Sequence, residues 1–313
     1  MSEVPTTAPV PLLLVAVPTY RRPRMLTACL ESLRRQEAPQ DVRVELLVVD
    51  NDPEGSARPV LAALGEGACV HYVLEPSRGL SSVRNRILQE CRERGAAWLA
   101  GIDDDEIALP DWLLELWQAQ CQHAADIVCG PVIRIRWGEA IPDAATLRTR
   151  VGRADGHSPR RVASGNALLR LAALGEPPQR FDTGLNLSGG EDHEFFERLR
   201  SGGARAVWAA RAVAVEWLPP TRQGLRYTLW RHFSDGASGV ARARAREPAW
   251  RVGGRYGLKA AGKLCGALLA LLRLPIRPRR ASVDAAIRLA NALGLLAGLL
   301  GFRVERYRHP DGF

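Results

Sequence analysis

Four short apolar runs, PLLLVAV (11–17), VELLVVD (44–50), VHYVLE (70–75) and AAWLAGI (96–102), alternate with amphipathic patterns through the first hundred residues. After the first run, Met25, Leu26, Cys29, Leu30 and Leu33 recur at the three-and-four spacing of one helix face. After the third, Val83, Ile87, Leu88 and Cys91 do the same, and Gly95 closes that helix. Strands separated by helices cannot join as tight hairpins, so they pair through crossovers. The expected fold class is therefore α/β, a Rossmann-like, mostly parallel sheet with helices on both faces. Ligands in such sheets sit beyond the carboxyl ends of the strands. The residues there are Pro18-Thr19-Tyr20-Arg21, Asp50-Asn51-Asp52, Pro76-Ser77-Arg78-Gly79 and Asp103-Asp104-Asp105-Glu106. A crevice holding both arginines and carboxylates suits a phosphorylated ligand bridged by a divalent cation. A Gly-x-Gly-x-x-Gly after the first strand is absent, and the one Gly-x-x-x-x-Gly-Lys, GLKAAGK (257–263), is followed by Leu264 where a P-loop has Ser or Thr, which weighs against dinucleotide and P-loop folds.

The run of four acids closing the fourth strand has several readings. A solvated loop leading to a helix capped by Asp111 would account for Asp111, but not for three aspartates against a buried strand end. An EF-hand is excluded, because no glycine stands at the sixth position and no glutamate closes the loop. Carboxylates at i and i+2 offer hard oxygens while water and phosphates complete the shell, the usual manner of binding magnesium or manganese. Asp103 and Asp105 are the expected pair, with Asp104 and Glu106 facing water or orienting the ligands. Glu191-Asp192 opens a later helix, where the dipole alone would favour acids; a general base is the functional alternative.

The net charge of +9 is uneven. From Ser201 onward 20 Lys/Arg face 6 Asp/Glu, which leaves the first two hundred residues mildly acidic. A basic tail seeks something anionic; with few aromatics and no RNA- or DNA-binding pattern, a phospholipid surface fits better than nucleic acid. The six scattered cysteines show no metal or redox spacing and read as reduced core thiols, which favours a cytoplasmic location. The N-terminal apolar run is too short for a signal core and reads as a strand.

Beyond residue 125, DIVCGPVIRIRW predicts a strand pair or one long bent strand, and 138–161 a mobile loop over the site. Gly189-Gly190 precede a helix with Phe195, Phe196 and Leu199 facing inward, closed by Gly202-Gly203, and AVWAARAVAVEW is a further strand pattern. The tail holds two apolar helical stretches with basic flanks. The longer uninterrupted one, Leu289–Phe302, has 14 residues, short of the ~18 needed to span a bilayer, so a packed or interfacial helical hairpin is expected.

VAVPTYRRPRMLTACLESLRRQ, ELLVVDND, RGLSSVRNRIL, IDDDEIALPDWL, ASGNALLR and GGEDHEFFERLRSGGARAVW occur in order, and together they resemble a family 2 glycosyltransferase of the GT-A fold over residues 10–245. Within that family the likeness is to bacterial transferases that build exopolysaccharide repeat units, including the ExoM-like group. The resemblance implies a catalytic domain over 1–245 and a basic, apolar helical region over 246–313. It implies a nucleotide-sugar donor, UDP-linked by the family's habit, a divalent cation (Mg²⁺ or Mn²⁺), and inversion at the anomeric carbon. Pro18, Thr19, Tyr20 and Arg21 would line the nucleotide pocket, Asp50 would read the base, and Arg78 and Arg84 would meet the nucleotide or its phosphates. Asp103 would stand near the ribose or metal and Asp105 would bind the metal directly. Asp192 would be the catalytic base with Glu191 beside it, and Gly165 and Asn166 would contact donor sugar or acceptor.

The Gln-x-x-Arg-Trp element of processive synthases is missing, so single addition to a saccharide or lipid-linked acceptor is expected. The basic tail would hold the enzyme peripherally on the anionic inner face of the cell membrane. The rival readings are a metal-dependent sugar nucleotidyltransferase on a similar fold, or an inactive glycan- or nucleotide-binding protein.

Overall fold

The computed structural model of the chain describes residues 10–65, 70–187, 189–244, 247–302 and 304. In chain order the first elements are β1 (Leu12–Thr19), α1 (Pro23–Leu33), β2 (Arg43–Asp50), α2 (Arg58–Ala63), β3 (Val70–Leu74), α3 (Leu80–Glu93) and β4 (Ala96–Ile102). There follow β5 (Glu106–Ala108), α4 (Trp112–His123), β6 (Ile127–Cys129), β7 (Val132–Arg136), α5 (Ala144–Thr149) and β8 (Asn166–Arg170). The last are α6 (Glu191–Ser201), β9 (Ala206–Trp208), β10 (Ala214–Leu218), α7 (Leu225–Arg244), α8 (Ala249–Leu271) and α9 (Pro278–Leu299).

Seven strands form one sheet in the order β3-β2-β1-β4-β8-β6-β9. All neighbours are parallel except β8, which runs antiparallel to both β4 and β6. β1 is buried on both faces, as a central parallel strand must be. Its odd residues Leu13, Val15 and Val17 pack with Leu26 and Leu30 of α1 and with Trp112 and Leu116 of α4. Its even residues Leu12, Leu14 and Ala16 pack with Val83, Ile87 and Cys91 of α3. Beside them, Phe195, Phe196 and Leu199 of α6 pack on Ile127 and Leu169. The mostly parallel α/β sheet expected from the alternation is thus observed.

Several expectations need correction. DIVCGPVIRIRW is two strands rather than one bent strand, and the two do not pair with each other: β6 belongs to the main sheet and β7 to a separate one, ordered β5-β10-β7. AVWAARAVAVEW likewise divides into β9 and β10, one in each sheet. The stretch expected as a loop over 138–161 contains α5, whose N-cap Asp143 accepts from the Thr146 amide at 2.9 Å. Asp111 caps nothing through its side chain; its carboxylate pairs with Arg148. Cys29, Cys91 and Cys129 are buried thiols as expected, whereas Cys121 and Cys265 are exposed, and Cys69 lies outside the described residues.

Among the described residues the chain divides into two compact units, the first running to Asn186 and resuming over Glu191–Trp217, the second holding 218–302. The expected division fell later, at 245; Leu218–Arg244 groups with the C-terminal helices. Within the second unit α9 packs on α7 through glycines. A Cβ at Gly294 would lie 2.0 Å from the Phe233 carbonyl oxygen, and one at Gly236 2.7 Å from that of Asn291. Of the apolar run Leu289–Phe302, the part up to Leu299 is the far half of a longer helix of 22 residues, Pro278–Leu299. By length and composition α9 is the one helix among the described residues able to cross a membrane.

Candidate active site

The carboxyl ends of β1 and β4 lie side by side because these strands pair directly. At that edge Thr19 Oγ1 donates to Asp104 Oδ2 at 2.8 Å. Arg22, one turn into the β1–α1 loop, donates to Asp104 Oδ1 at 2.9 Å and to Asp105 Oδ2 at 3.0 Å. The acid run turns sharply as β4 gives way to β5: the Asp103 amide donates to Glu106 Oε2 at 3.2 Å, and the Glu106 amide to the Asp103 carbonyl at 3.1 Å. Asp104, Asp105 and Glu106 are buried, and only the Asp103 side chain, 40% exposed, opens toward solvent. Of the two roles expected for Asp104 and Glu106, facing water is corrected by their burial, while their contacts to Arg22 and to the Asp103 amide leave the orienting role. Burial lifts Asp104, with Arg22 and Thr19 holding it back and Asp105 adding repulsion. Burial lifts Glu106 well above the carboxylate range, reinforced by Asp103 and Asp105.

Asp103 meets a second charged group. Arg84 of α3, 8% exposed, pairs with the buried Glu191 at the start of α6 and stands 3.8 Å from Asp103 Oδ1. A cavity of about 40 Å³ lies beside them, lined by Arg84, Asp103 and Ser164 together with Ile87, Leu99 and Phe195. Asp103 borders these apolar walls. Desolvation, opposed by Arg84 and reinforced by Asp105, Asp104 and Asp192, raises it to about 7. Glu191 is likewise raised by burial, opposed by Arg84 and reinforced by Asp192. Asp192 is half-buried, and its Oδ1 accepts from the His193 amide at 2.6 Å. Gly165 makes room for the acids: a Cβ there would lie 2.7 Å from Asp103 Oδ2 and 3.1 Å from Glu106 Oε1.

The ends of β2 and β3 build the flank. Arg21, at φ +54°, donates to both carboxylate oxygens of Asp52 at 3.1 Å. Asn51 donates to the carbonyls of Glu75 and Ser77 at 2.9 Å and accepts from the Gly79 amide at 2.8 Å, tying β2 to the loop before α3. The guanidiniums of Arg21 and Arg78 lie 5.4 and 5.1 Å from the centre of the Tyr20 ring. Tyr20, Arg21 and Arg78 thus form an aromatic, cationic wall beside the acids, and Pro18 borders the cavity with Asp103.

Two expected ligand-contacting residues are spent inside the protein. Asp50 is wholly buried and accepts from the amides of Asp52 at 3.0 Å and Ala57 at 2.8 Å, so it shapes the loop after β2. The buried Asn166 accepts from Trp112 Nε1 at 2.8 Å and donates to the carbonyls of Pro131 at 3.0 Å and Ala212 at 2.8 Å. With both amide atoms so engaged it pins β8. Sequence reasoning places Asn51 and Asp52 at this edge without giving them a role, and it does not single out Arg22, which directly follows the first polar cluster.

No cluster of three or more His, Cys, Asp or Glu side chains suited to a metal occurs among the described residues. Two aspartates suffice when a diphosphate and water complete the shell. Asp103 presents its carboxylate to the open side and fits that role. Asp105 offers oxygens of the right kind, but Arg22 already engages one of them.

The family model for glycosyl transferase family 2 matches residues 14–174, the stretch that builds this sheet edge. The chain belongs to glycosyltransferase family 2. It is 32% identical over 311 residues to the succinoglycan biosynthesis protein ExoM of Rhizobium meliloti (strain 1021), covering 94% of each chain. Among solved structures it resembles the mannosyltransferase PcManGT of Pyrobaculum calidifontis in complex with GDP-Man and Mn²⁺. That likeness has TM-score 0.60 and 18% identity, over 91% of this chain and 86% of that one. It also resembles S. aureus TarS 1–349 in complex with UDP-GlcNAc, with TM-score 0.56 and 15% identity over 92% of both chains. These likenesses establish the GT-A fold, and the family makes the chain a glycosyltransferase.

Proposed function

We propose that this glycosyltransferase moves a sugar, with inversion, from a nucleotide-sugar donor to a hydroxyl of a saccharide or lipid-linked acceptor in exopolysaccharide biosynthesis. The single observation that carries the reading is the constellation of Asp103, Arg84 and Glu191 beside Asp192 at one strand edge. The likeness to ExoM supports the biosynthetic setting.

In this reading Tyr20 offers its ring to the base, while Arg21 and Arg78 face the phosphates. A UDP-sugar is the proposed donor. Asp103 and Asp105 would hold a divalent cation together with the donor's diphosphate, and Arg22 would release Asp105 as it does so. The cation would offset charge building on the departing nucleoside diphosphate. Arg84 lies close enough to Asp103 to act on the same charge, and Glu191 fixes its position. Asp192 takes the proton of the acceptor hydroxyl as that oxygen attacks the anomeric carbon from the face opposite the leaving group. One displacement inverts the centre, so no second carboxylate nucleophile is required. The enzyme would work as a cytoplasmic, peripheral protein on the inner face of the cell membrane, touching its anionic lipids through the C-terminal region.

A screen of nucleotide sugars with Mn²⁺ or Mg²⁺, reading nucleoside diphosphate release, tests this. Release from one donor, dependent on metal and increased by acceptor, is expected. Pyrophosphate release from a nucleoside triphosphate and a sugar phosphate would overturn it.

A further inference from the structure

The second unit carries a surface that the transfer reaction does not use. From Pro248 to Val283 the sequence contains eight Lys/Arg and no Asp/Glu. Over the same stretch Val252 is buried with Tyr256 packed nearby, but five other large apolar side chains point outward: Trp250 is 72% exposed, Leu258 78%, Leu268 67%, Leu272 73% and Ile276 80%. The inward faces are filled instead by alanines, Ala260, Ala267 and Ala270 of α8 and Ala281 and Ala285 of α9. This inverts the ordinary helix pattern, which hides leucine and shows polar residues.

The exposed apolar residues form a stripe. Leu258, Ala261, Cys265, Leu268 and Leu272 follow one another at steps of three or four, so they share one face of α8. Arg255, Lys259 and Lys263 run beside that stripe at the same steps. The segment from Leu271 to Arg280, which joins α8 to α9, is exposed at every position. In it Leu272, Leu274 and Ile276 alternate with Arg273 and Arg277 before Arg279 and Arg280.

We infer that this α8–α9 hairpin is a membrane-docking element, its tip from Leu268 to Arg280 sunk among the headgroups of a bilayer rich in acidic phospholipid. The inference rests on the peripheral membrane contact in the proposed function and assigns it to particular side chains. Leucine and isoleucine enter the acyl boundary while the arginine stems reach back to the phosphates. A second copy of the chain is a poor occupant, because a symmetric contact would set eight cations against eight others. A nucleic-acid backbone would meet the arginines but leave the leucines uncovered. Nor does α9 cross the bilayer. It carries Arg279, Arg280, Asp284, Arg288 and Asn291 in its first two thirds, and its buried Ala292, Leu295 and Gly298 are already taken by packing within the unit.

The test is flotation of the full chain with vesicles of phosphatidylcholine alone or mixed with phosphatidylglycerol. Wild type is expected to float only with the mixed vesicles, to be released by high salt, and to be extracted by alkaline carbonate. Leu268→Glu with Leu272→Glu and Ile276→Glu, or separately Arg273→Glu with Arg277→Glu, should each weaken partition by about 100-fold. Both variants should keep wild-type circular dichroism and nucleotide-sugar binding. Equal flotation of wild type and variants, absence of flotation, or resistance to carbonate would each overturn the inference. So would a dimer by light scattering that the same substitutions dissolve, or binding to RNA in preference to vesicles. Loss of donor binding in the wild type is a separate outcome, and it counts against the proposed transferase reaction rather than the docking surface.

Discussion

Glu191→Gln tests the role of Glu191 apart from that of its neighbour Asp192. The glutamine keeps the shape of Glu191 but removes its charge, leaving the Arg84 guanidinium, 8% exposed, with a weaker partner. Removing one member of a buried ion pair costs about 3–5 kcal/mol. Asp103 remains 3.8 Å from Arg84 as a second counter-charge, so the lower figure of about 3 kcal/mol applies. For a unit of this size that lowers the melting temperature by roughly 6–12 °C. Thermal unfolding followed by circular dichroism, with urea titration as a check, reads the effect. Replacing both partners, Glu191→Leu with Arg84→Met, should recover part of the loss, because no guanidinium is then buried without a partner, although Asp103 loses the cation 3.8 Å away. A fall of less than about 3 °C for Glu191→Gln, or further loss in the double variant, would refute the view of Glu191 as the residue that fixes Arg84.

Asn166→Ala leaves the Trp112 indole N–H and two buried carbonyls without their partner, and should cost about 3 kcal/mol in stability while the folded enzyme keeps its KM for donor. A raised KM with unchanged unfolding would make Asn166 a donor contact instead. Arg22→Ala frees Asp104 and Asp105 of their cation and should tighten Mn²⁺ binding to the donor-free protein several-fold by calorimetry; weaker binding would show that Arg22 orders the metal ligands rather than competing with the metal. Because Asp103 is raised from 3.8 to about 7, the native state holds a proton that the unfolded chain has lost across that window. Stability of the metal-free protein should therefore fall as pH rises from about 4 to 7 and level off above, and saturating Mn²⁺ should flatten the slope. A metal-free stability that climbs through that window would contradict the assignment.

The first four strands and the helices α1 and α3 were legible because both obey short periods: apolar runs of the length of a buried strand, and three-and-four spacing between them. The edge where the site lies followed from that order alone. Where the reading failed, the determinant was a partner far away in sequence. DIVCGPVIRIRW suits a strand pair or one bent strand equally, and Gly130 lets the chain leave one sheet for another, since a Cβ there would meet the Ala212 carbonyl oxygen at 2.1 Å. β5 has only three residues and exists through pairing with β10, more than a hundred positions later. In the site, the ordered motifs located Asp103, Arg84, Glu191 and Asp192 together. They could not show that Arg22 reaches across to Asp104 and Asp105, or that Asn166 spends its amide on Trp112. Burial of side chains inside one short acid run is a tertiary fact, and nothing in four adjacent acids says which one faces outward.

The central claim is that Asp192 is the base of an inverting transfer while Glu191 and Arg84 hold the site in shape. Steady-state kinetics of Asp192→Asn, with the donor found by the screen, tests it most directly. The expected result is a loss of kcat of at least ~100-fold, in the range of general-base contributions, with donor binding and melting temperature near those of wild type. Turnover within a few-fold of wild type would contradict the account.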